Sequence, residues 1–287
     1  MSIPLSAGAT LHPLVVPARA DAADAGEFRE LARVRNLVYR ELTGRDEQDL
    51  SPAELLPRLR SREEQTTLVW TVRLADEMIG RVVVDLPHEA GSRVAIATIE
   101  LRPLAWGRGI GRAILPHVEE AARAHGRGVI QNWTEQPTAD GARLESPTGH
   151  GSVPNDHVAR FLTRSGFSLE QVYRISLLDL DDVARARSAE LLAEAEAASS
   201  DYRVVRWTLP TPGEHLDGYA WLKSRMSTDA PSADLDADEE AWDAARVRRM
   251  EQRQAEAGHT LQVTAAQHIV TGELAAFTEL GTGTSGS

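Results

Sequence analysis

The segment IELRPLAWGRGIGRAIL at residues 99–115 constrains the fold more than any other part of the chain. Its pattern is that of a strand end, a turn with alternating glycines, and the start of an amphipathic helix. Gly107, Gly109 and Gly111 let main-chain N–H groups approach an anion with no Cβ in the way. The helix N-terminus behind the turn adds partial positive charge. We therefore predict that this turn binds a pyrophosphate group.

Two familiar phosphate-binding motifs do not match this turn. A dinucleotide-binding turn needs G-x-G-x-x-G, but Arg112 stands where the third glycine is required. A P-loop needs a lysine in the turn, and the only lysine of the chain is Lys223. Arg108 and Arg112 flank the turn and can make charge-assisted contacts with a phosphate. The two nucleotide motifs are excluded, and the predicted anion site remains.

The rest of the chain alternates between strand and helix patterns. Apolar spacing predicts helices at residues 19–42, 53–59, 109–125 and 157–165, and strands at 67–74, 80–86, 94–101 and 128–133. Residues 137–156 are predicted to form a loop, and residues 167–180 one or two further strands. A second hairpin at 260–277 resembles the one at 67–84, which indicates a repeated unit. We expect a mixed-sheet α/β fold with a first domain at 1–180, a helical connector at 181–200 and a partial second unit at 201–287.

Composition excludes several classes of function. The chain has no cysteine, so disulfides, thiolate metal sites and cysteine nucleophiles are excluded. The formal net charge of −12 argues against a sequence-independent nucleic-acid binder. No apolar run approaches the roughly 18 residues of a membrane span, and the start has no signal-peptide pattern. No histidine pair has metalloprotease spacing, so we expect no metal. These features predict a cytoplasmic protein without nucleic-acid or membrane partners.

The motif and its surroundings resemble the GNAT superfamily of N-acetyltransferases. IELRP at 99–103 matches the end of the family's central strand, and WGRGIG at 106–111 matches its glycine loop. Asn155, Leu162 and Phe167 lie at the positions of the family's later helix motif. The resemblance covers about the first 180 residues. It implies a GNAT-like domain followed by a partial GNAT-like unit without a coenzyme A loop, as in tandem members of the family.

The resemblance also implies the reaction and its coenzyme. Acetyl-CoA would be the co-substrate, and its acetyl group would pass directly to a primary amine of a small molecule or peptide. A main-chain N–H of the central strand would polarise the thioester carbonyl. The residues implied to hold acetyl-CoA are Ile99, Leu101, Trp106, Gly107, Arg108, Gly109, Ile110, Gly111, Arg112 and Asn155. The sequence leaves a homodimer open.

Two departures from the family pattern leave the proton-transfer groups open. Trp106 replaces the usual Gln or Arg of the loop, and Leu162 replaces the tyrosine that protonates the leaving thiolate in many members. Glu100 and Glu135 are the candidate bases, and Glu100 is solvated instead if Leu101 packs inward. Tyr173 is the candidate acid, with core packing as its other role. The departures also favour an alternative function, a non-catalytic acyl-CoA-binding sensor or regulatory protein.

Overall fold

The computed structural model describes residues 2–137, 139–229, 233–236 and 238–283. The strands of the first half are β1 (Ile3–Pro4), β2 (Ala9–Pro13), β3 (Gln65–Leu74), β4 (Glu77–Pro87), β5 (Val94–Leu101), β6 (Val129–Asn132), β7 (Arg143–Glu145) and β8 (Ser152–Pro154). Its helices are α1 (Gly26–Thr43), α2 (Pro52–Leu59), α3 (Ile110–Ala124) and α4 (His157–Arg164). The second half contains α5 (Asp182–Ala198), β9 (Tyr202–Thr208), α6 (Gly213–Asp229), α7 (Ala244–Glu256), β10 (Thr260–His268) and β11 (Leu274–Thr282).

The first half is built on a six-stranded mixed sheet. Its strands lie in the order β1-β2-β3-β4-β5-β6, antiparallel throughout except for the parallel pair β5 and β6. The connection between these two strands contains α3, as a parallel pair requires a crossover. The second half has an antiparallel sheet in the order β11-β10-β9, and β7 and β8 form a separate hairpin. The fold is therefore the mixed α/β class that the sequence predicts.

Helices cover both faces of the large sheet. One apolar cluster joins the sheet to α3 and includes Leu11, Val82 and Ile114. The other joins it to α1 and α2 and includes Phe28 and Val83. Because neighbouring residues of a strand point to opposite faces, β4 is buried at nearly every position. This double cover decides the surroundings of every side chain on β5.

Local signals placed most elements correctly, and α2 shows why. Ser51 accepts a hydrogen bond from the backbone N–H of Glu54, and the Glu54 carboxylate accepts one from the Ser51 N–H. This capping box, with Pro52 in the first turn, fixes the predicted helix start. A second local signal is the C-terminus of α1, where the C-cap residue Gly44 has a φ of 73° and ends the helix.

Four predictions about local structure were wrong. Helix α1 begins at Gly26, not at residue 19. The predicted loop at 137–156 contains the hairpin of β7 and β8. The short strands β1 and β2 were not predicted, because each contains a proline and neither shows alternation over more than a few residues. The region 167–180 forms no strand; its apolar side chains from Tyr173 onward are exposed, and sequence alternation alone cannot supply a partner strand.

Ion pairs and hydrogen bonds join the two halves. Arg249 of α7 pairs with Glu64, and Arg246 contacts Glu89 at 2.6 Å. His259 lies 3.6 Å from Glu54 of α2. The contact between the halves is therefore rich in charge and centres on α2 and α7.

The second half buries its single lysine among aromatic rings. Lys223 Nζ lies 5.0, 5.1 and 5.4 Å from the ring centroids of Tyr219, Trp242 and Phe277. The same ammonium is 2.7 Å from Glu279, and the Tyr219 hydroxyl donates to that carboxylate. Cation–π attraction and the ion pair together compensate for burying the charge. Lys223 thereby ties α6 to β11.

We expect Lys223→Met to destabilise the protein by about 2 kcal/mol, because it removes the ammonium from the rings and leaves Glu279 without its cation. Urea unfolding followed by circular dichroism measures the change. Arg185→Met on the exposed α5 is the matched control and should change stability by less than about 0.5 kcal/mol. An equal loss in the two variants would contradict the role given to Lys223.

Candidate functional site

Strands β5 and β6 separate before β5 ends. Their pairing runs from Val94 with Val129 to Ala97 with Asn132, whereas β4 pairs with β5 as far as Leu101. Among the described residues, positions 98–101 of β5 thus have no ladder partner on the side of β6. Asn132 Nδ2 donates to the Ala97 carbonyl at 2.7 Å and closes the last rung. Beyond it, the edge of β5 offers backbone groups to a ligand.

The glycine turn follows directly after this open edge. Gly107 and Gly109 have φ values of 72° and 77°, in the left-handed region that favours glycine. Gly109 is the N-cap of α3, and no side chain caps that helix. A Cβ placed on Gly107 would meet no atom within 4 Å. Among the described residues, the first N–H groups of α3 therefore have no side-chain cap, as an anion site at a helix N-terminus requires.

The remaining glycine has a packing role. A Cβ on Gly111 would lie 3.3 Å from the ring of Phe161, so this glycine lets α4 approach α3. The turn is also held from the N-terminal side, because Ser6 Oγ donates to the Arg108 carbonyl at 3.2 Å. Gly107 and Gly109 thus form the turn, whereas Gly111 allows α4 to pack against α3.

The two arginines of the turn carry charge without a protein partner. Arg108 and Arg112 are exposed, and neither guanidinium has an ion pair or hydrogen bond within the part of the chain that the structure describes. The chain as a whole has an excess of acidic residues. Two unpaired cations beside an uncapped helix N-terminus favour a polyanionic ligand.

Trp106 connects the open edge to α4. Its indole Nε1 donates to the Leu101 carbonyl at 2.9 Å, and its ring stacks on His157 with centroids 4.7 Å apart. Trp106 therefore occupies one of the backbone acceptors at the end of β5. Asn155 lies just before α4, exposed, with its backbone N–H bonded to the Ala142 carbonyl. The tryptophan and this loop border the glycine turn.

The apolar members of the predicted coenzyme site can contribute only through their backbone. Ile99 and Leu101 pack against the apolar cluster on the α3 side, and Ile110 is part of that cluster. Their side chains help to fix β5 against α3. The backbone groups at 99 and 101 belong to the strand end that lacks a ladder partner on the β6 side.

Glu100 points to the opposite face, where α1 covers it. Its Oε2 accepts from Arg81 Nε at 2.6 Å, and its Oε1 accepts from Arg81 Nη2 at 2.9 Å. Oε1 also accepts from the Tyr39 hydroxyl at 3.1 Å. Leu101 does pack inward, but Glu100 is not solvated as that packing predicts. The reason is that helices cover both faces of this sheet.

Electrostatics keep this cluster in one protonation state. Burial opposes ionisation, but the charge and hydrogen bonds of Arg81 outweigh it and lower the pKa of Glu100. Burial, together with the negative charge of Glu100, raises the pKa of Tyr39 to about 12. Arg35 lies over the Tyr39 ring at 4.0 Å. Glu100 is therefore an ionised carboxylate whose two oxygens already accept hydrogen bonds, which weakens it as a proton acceptor.

Glu135 has a different environment. It is half-buried in the segment after β6, and its Oε2 accepts from Gln48 Nε2 in the loop between α1 and α2. Arg35 donates to the Gln48 carbonyl, so this loop also contacts the Glu100 cluster. Glu135 thus has only one protein hydrogen-bond donor in the described structure and lies beyond the point where β5 and β6 separate.

No contact in the described structure joins Tyr173 to Glu100 or to Glu135. Its side chain is 69% exposed and lies against Trp133, with ring centroids 5.1 Å apart. Trp133 directly follows β6, so Tyr173 is near the end of that strand. Core packing is wrong as its role, because the ring is exposed.

Sequence reasoning missed four residues of this region, Arg35, Tyr39, Gln48 and Arg81. Arg35 and Tyr39 are one helical turn apart on α1, and that spacing places them on one face. Arg81 lies directly opposite Glu100 across the antiparallel pair of β4 and β5. Pairing the 80–86 strand with the 94–101 strand in sequence would have suggested this neighbour. The position of Gln48 depends on loop geometry and has no sequence signal.

Comparison with known proteins fits this geometry. Residues 31–143 match the model of the acetyltransferase (GNAT) family. This part of the chain is therefore similar to a GNAT acetyltransferase domain. The match spans the helix that covers Glu100, the open edge of β5 and the glycine turn.

Solved structures extend the likeness to the whole chain. A tandem GNAT protein from the clavulanic acid biosynthesis pathway is 22% identical with a TM-score of 0.64, over 96% of this chain and 75% of that one. The GNAT domain of S. lividans PAT is 18% identical over 61% and 90% of the two chains, with a TM-score of 0.41. A search of curated proteins gives no match. The chain therefore shares the tandem GNAT fold.

Neither a metal-binding cluster nor a membrane-spanning helix occurs among the described residues. No group of three His, Asp or Glu side chains there is arranged to hold a metal ion. No helix among those residues is long and apolar enough to cross a membrane.

We expect Glu100→Gln to destabilise the protein by about 3 kcal/mol, because it leaves Arg81 buried without its anion. The folded-state pKa of Glu100 is lower than its unfolded value of about 4.3, so ionised Glu100 stabilises the fold above that pH. This stabilisation is lost as the pH falls through the folded-state pKa. The difference between wild type and variant should therefore shrink on acidification. Urea unfolding at several pH values from 7 down to about 2 measures it, because the loss begins only below about pH 4.3.

The control is Glu120→Gln, which removes an exposed partner of Arg123 and should cost less than about 1 kcal/mol at every pH. A pH-independent difference for Glu100→Gln would contradict the ionised state assigned to Glu100.

Proposed function

We propose that the protein is an acetyl-CoA-dependent N-acetyltransferase that moves the acetyl group directly to a primary amine of a small molecule or peptide. The observation that carries the proposal is the open edge of β5 running into an uncapped, glycine-rich helix N-terminus. Acetyl-CoA supplies the activated acyl group as a thioester. The N–H groups of the turn and α3, with Arg108 and Arg112, would hold its pyrophosphate. The backbone at 99–101 would bind the remainder of the coenzyme.

We assign the general base to Glu135 in preference to Glu100. An acceptor amine must lose a proton, and a carboxylate with free acceptor capacity can take it directly or through water. Glu135 keeps that capacity, whereas Arg81 and Tyr39 occupy both oxygens of Glu100. Glu100 then has a positioning role, since it holds Tyr39 and α1 against the strand. Tyr173 remains the proposed acid, because its ring lies beside the end of β6.

The proposed division of labour assigns acetyl-CoA to residues 1–180 alone. Residues 181–200 would connect the two units, and residues 201–287 would support the fold through the contact between α2 and α7. The glycine turn that supports a coenzyme site belongs to the first unit.

Non-catalytic acyl-CoA binding is the second candidate function. It is favoured by Glu100, whose two carboxylate oxygens already accept hydrogen bonds. It is also favoured by Leu162, which stands where many family members have the proton-donating tyrosine. Such a sensor would bind acetyl-CoA without releasing coenzyme A faster when amines are added. Assaying free thiol with a panel of primary amines and short peptides distinguishes the two functions.

We expect Gly109→Glu to abolish acetyl-CoA binding, because the new carboxylate would stand at the helix N-terminus and repel the pyrophosphate. Calorimetry should show one site per wild-type chain with micromolar affinity, about −8 kcal/mol. Gly126→Glu is the matched control: it has a φ of 73°, lies just after the same helix and has open space around it. Equal loss in both variants, or a second site in the wild type, would contradict the assignment.

We expect Glu135→Gln to lower kcat by about 100-fold while leaving acetyl-CoA affinity and the melting temperature unchanged, because only the proton acceptor is lost. Steady-state kinetics with an amine found active in the panel, measured across pH, give the readout. The control is Glu145→Gln on the exposed hairpin strand β7, which should keep the wild-type rate. If Glu135→Gln is fully active while Glu100→Gln is folded but inactive, the general base is Glu100 instead.

A further inference from the structure

A polar cavity lies between the two halves of the chain, away from the glycine turn. Its volume is about 350 Å³, and its walls come from α2, from the start of β3, from β4 and from α7. Asp85 on its wall pairs with Ile96 of β5, five residues before Leu101. At about 3.3 Å per residue, the cavity is roughly 16 Å along the sheet from the strand end that leads into the glycine turn. It is therefore separate from the proposed coenzyme site.

The cavity gathers three guanidinium groups, those of Arg58, Arg62 and Arg253. Arg58 is exposed, and no ion pair or hydrogen bond engages its side chain within the described ranges of the chain. Arg62 donates to Gln65 Oε1 at 2.7 Å. Both halves contribute to the cluster, since Arg253 comes from α7.

The carboxylate nearest to Arg62 and Arg253 is shared with a third arginine. Glu64 lies 4.0 Å from Arg62 and 3.6 Å from Arg253, and it also pairs with Arg249. The Glu64 carboxylate is therefore the shared ion-pair partner of three arginines. Burial, followed by the positive charge of Arg62, lowers the pKa of Arg253, so these two cations repel each other.

The other carboxylates near the cavity are engaged by protein hydrogen-bond donors. Asp85 accepts hydrogen bonds from Thr67 and Gln65, and burial raises the pKa of its carboxyl group. His259 is 3.6 Å from Glu54, which is engaged in the capping box of α2. An anion placed between Arg62 and Arg253 would relieve their repulsion and give Arg58 a partner.

We propose that this cavity binds a small anion carrying a phosphate or carboxylate group, held by Arg58, Arg62 and Arg253. Planar guanidinium groups suit the oxygens of both groups, and the volume is within the usual range of small-molecule sites. Because Arg58 and Arg62 belong to the first half and Arg253 to the second, the bound anion bridges α2 and α7. The site is independent of acetyl-CoA and of the proposed acetyl transfer.

Calorimetry with the full chain tests this site, with inorganic phosphate and succinate as separate probes at low ionic strength. The titrations use the Gly109→Glu variant, so that the glycine turn cannot supply the binding. We expect saturable one-to-one binding of at least one probe; the probe that binds tells a phosphate site from a carboxylate site. Adding Arg62→Gln and Arg253→Gln should weaken binding at least tenfold.

Two further variants keep the test decisive if the double variant unfolds. Arg58→Gln removes an exposed side chain without a described partner, so it should weaken binding several-fold with no change in melting temperature. Arg187→Gln on the exposed α5 is the control and should bind as the Gly109→Glu parent does. Absence of saturable binding by both probes, or undiminished binding in Arg58→Gln and the double variant, would overturn the proposal.

Discussion

The separation of β5 from β6 after Ala97 is the constraint on which the candidate site depends. A strand edge inside a fold must have its backbone polar groups satisfied, so an edge left open needs substitutes. Asn132 and Trp106 provide two of them, by donating to the carbonyls of Ala97 and Leu101. The uncapped start of α3 follows the strand end after the 3-10 turn at Pro103–Ala105 and the glycine turn. The open strand edge and the open helix end are thus two places, close in sequence, where backbone groups are available to a ligand.

The cover of both sheet faces decides what the charged residues of β5 can do. Because α1 packs over the face opposite α3, Glu100 is buried, and Arg81 must accompany it to compensate for lost hydration. A carboxylate stabilised in this way is a good structural anchor and a poor proton acceptor. Glu135 lies outside this cover; it is half-buried and accepts a hydrogen bond from Gln48 alone among the described side chains. The two glutamates thus differ in environment through packing rather than through residue type.

Local chemistry explains which features could be predicted from sequence. The second helix and the glycine turn are encoded within a few residues, so both were predicted close to where they lie. The Arg81–Glu100 pair depends on strand register, and the packing role of Gly111 depends on Phe161, fifty residues later. The segment 167–180 shows the reverse case, since an apolar pattern suggested strands that find no partner. Long-range pairing is the information that a linear pattern lacks.

The contact between the halves reaches the candidate base through α2. His259 and α7 contact Glu54 and Glu64 on and beside this helix, and Glu54 also completes the capping box with Ser51. Just before that cap, the loop supplies Gln48, which donates to Glu135. The loop that holds the carboxylate therefore ends at the helix that α7 contacts. Because this contact is made largely of ion pairs, it is more sensitive to salt than an apolar contact would be.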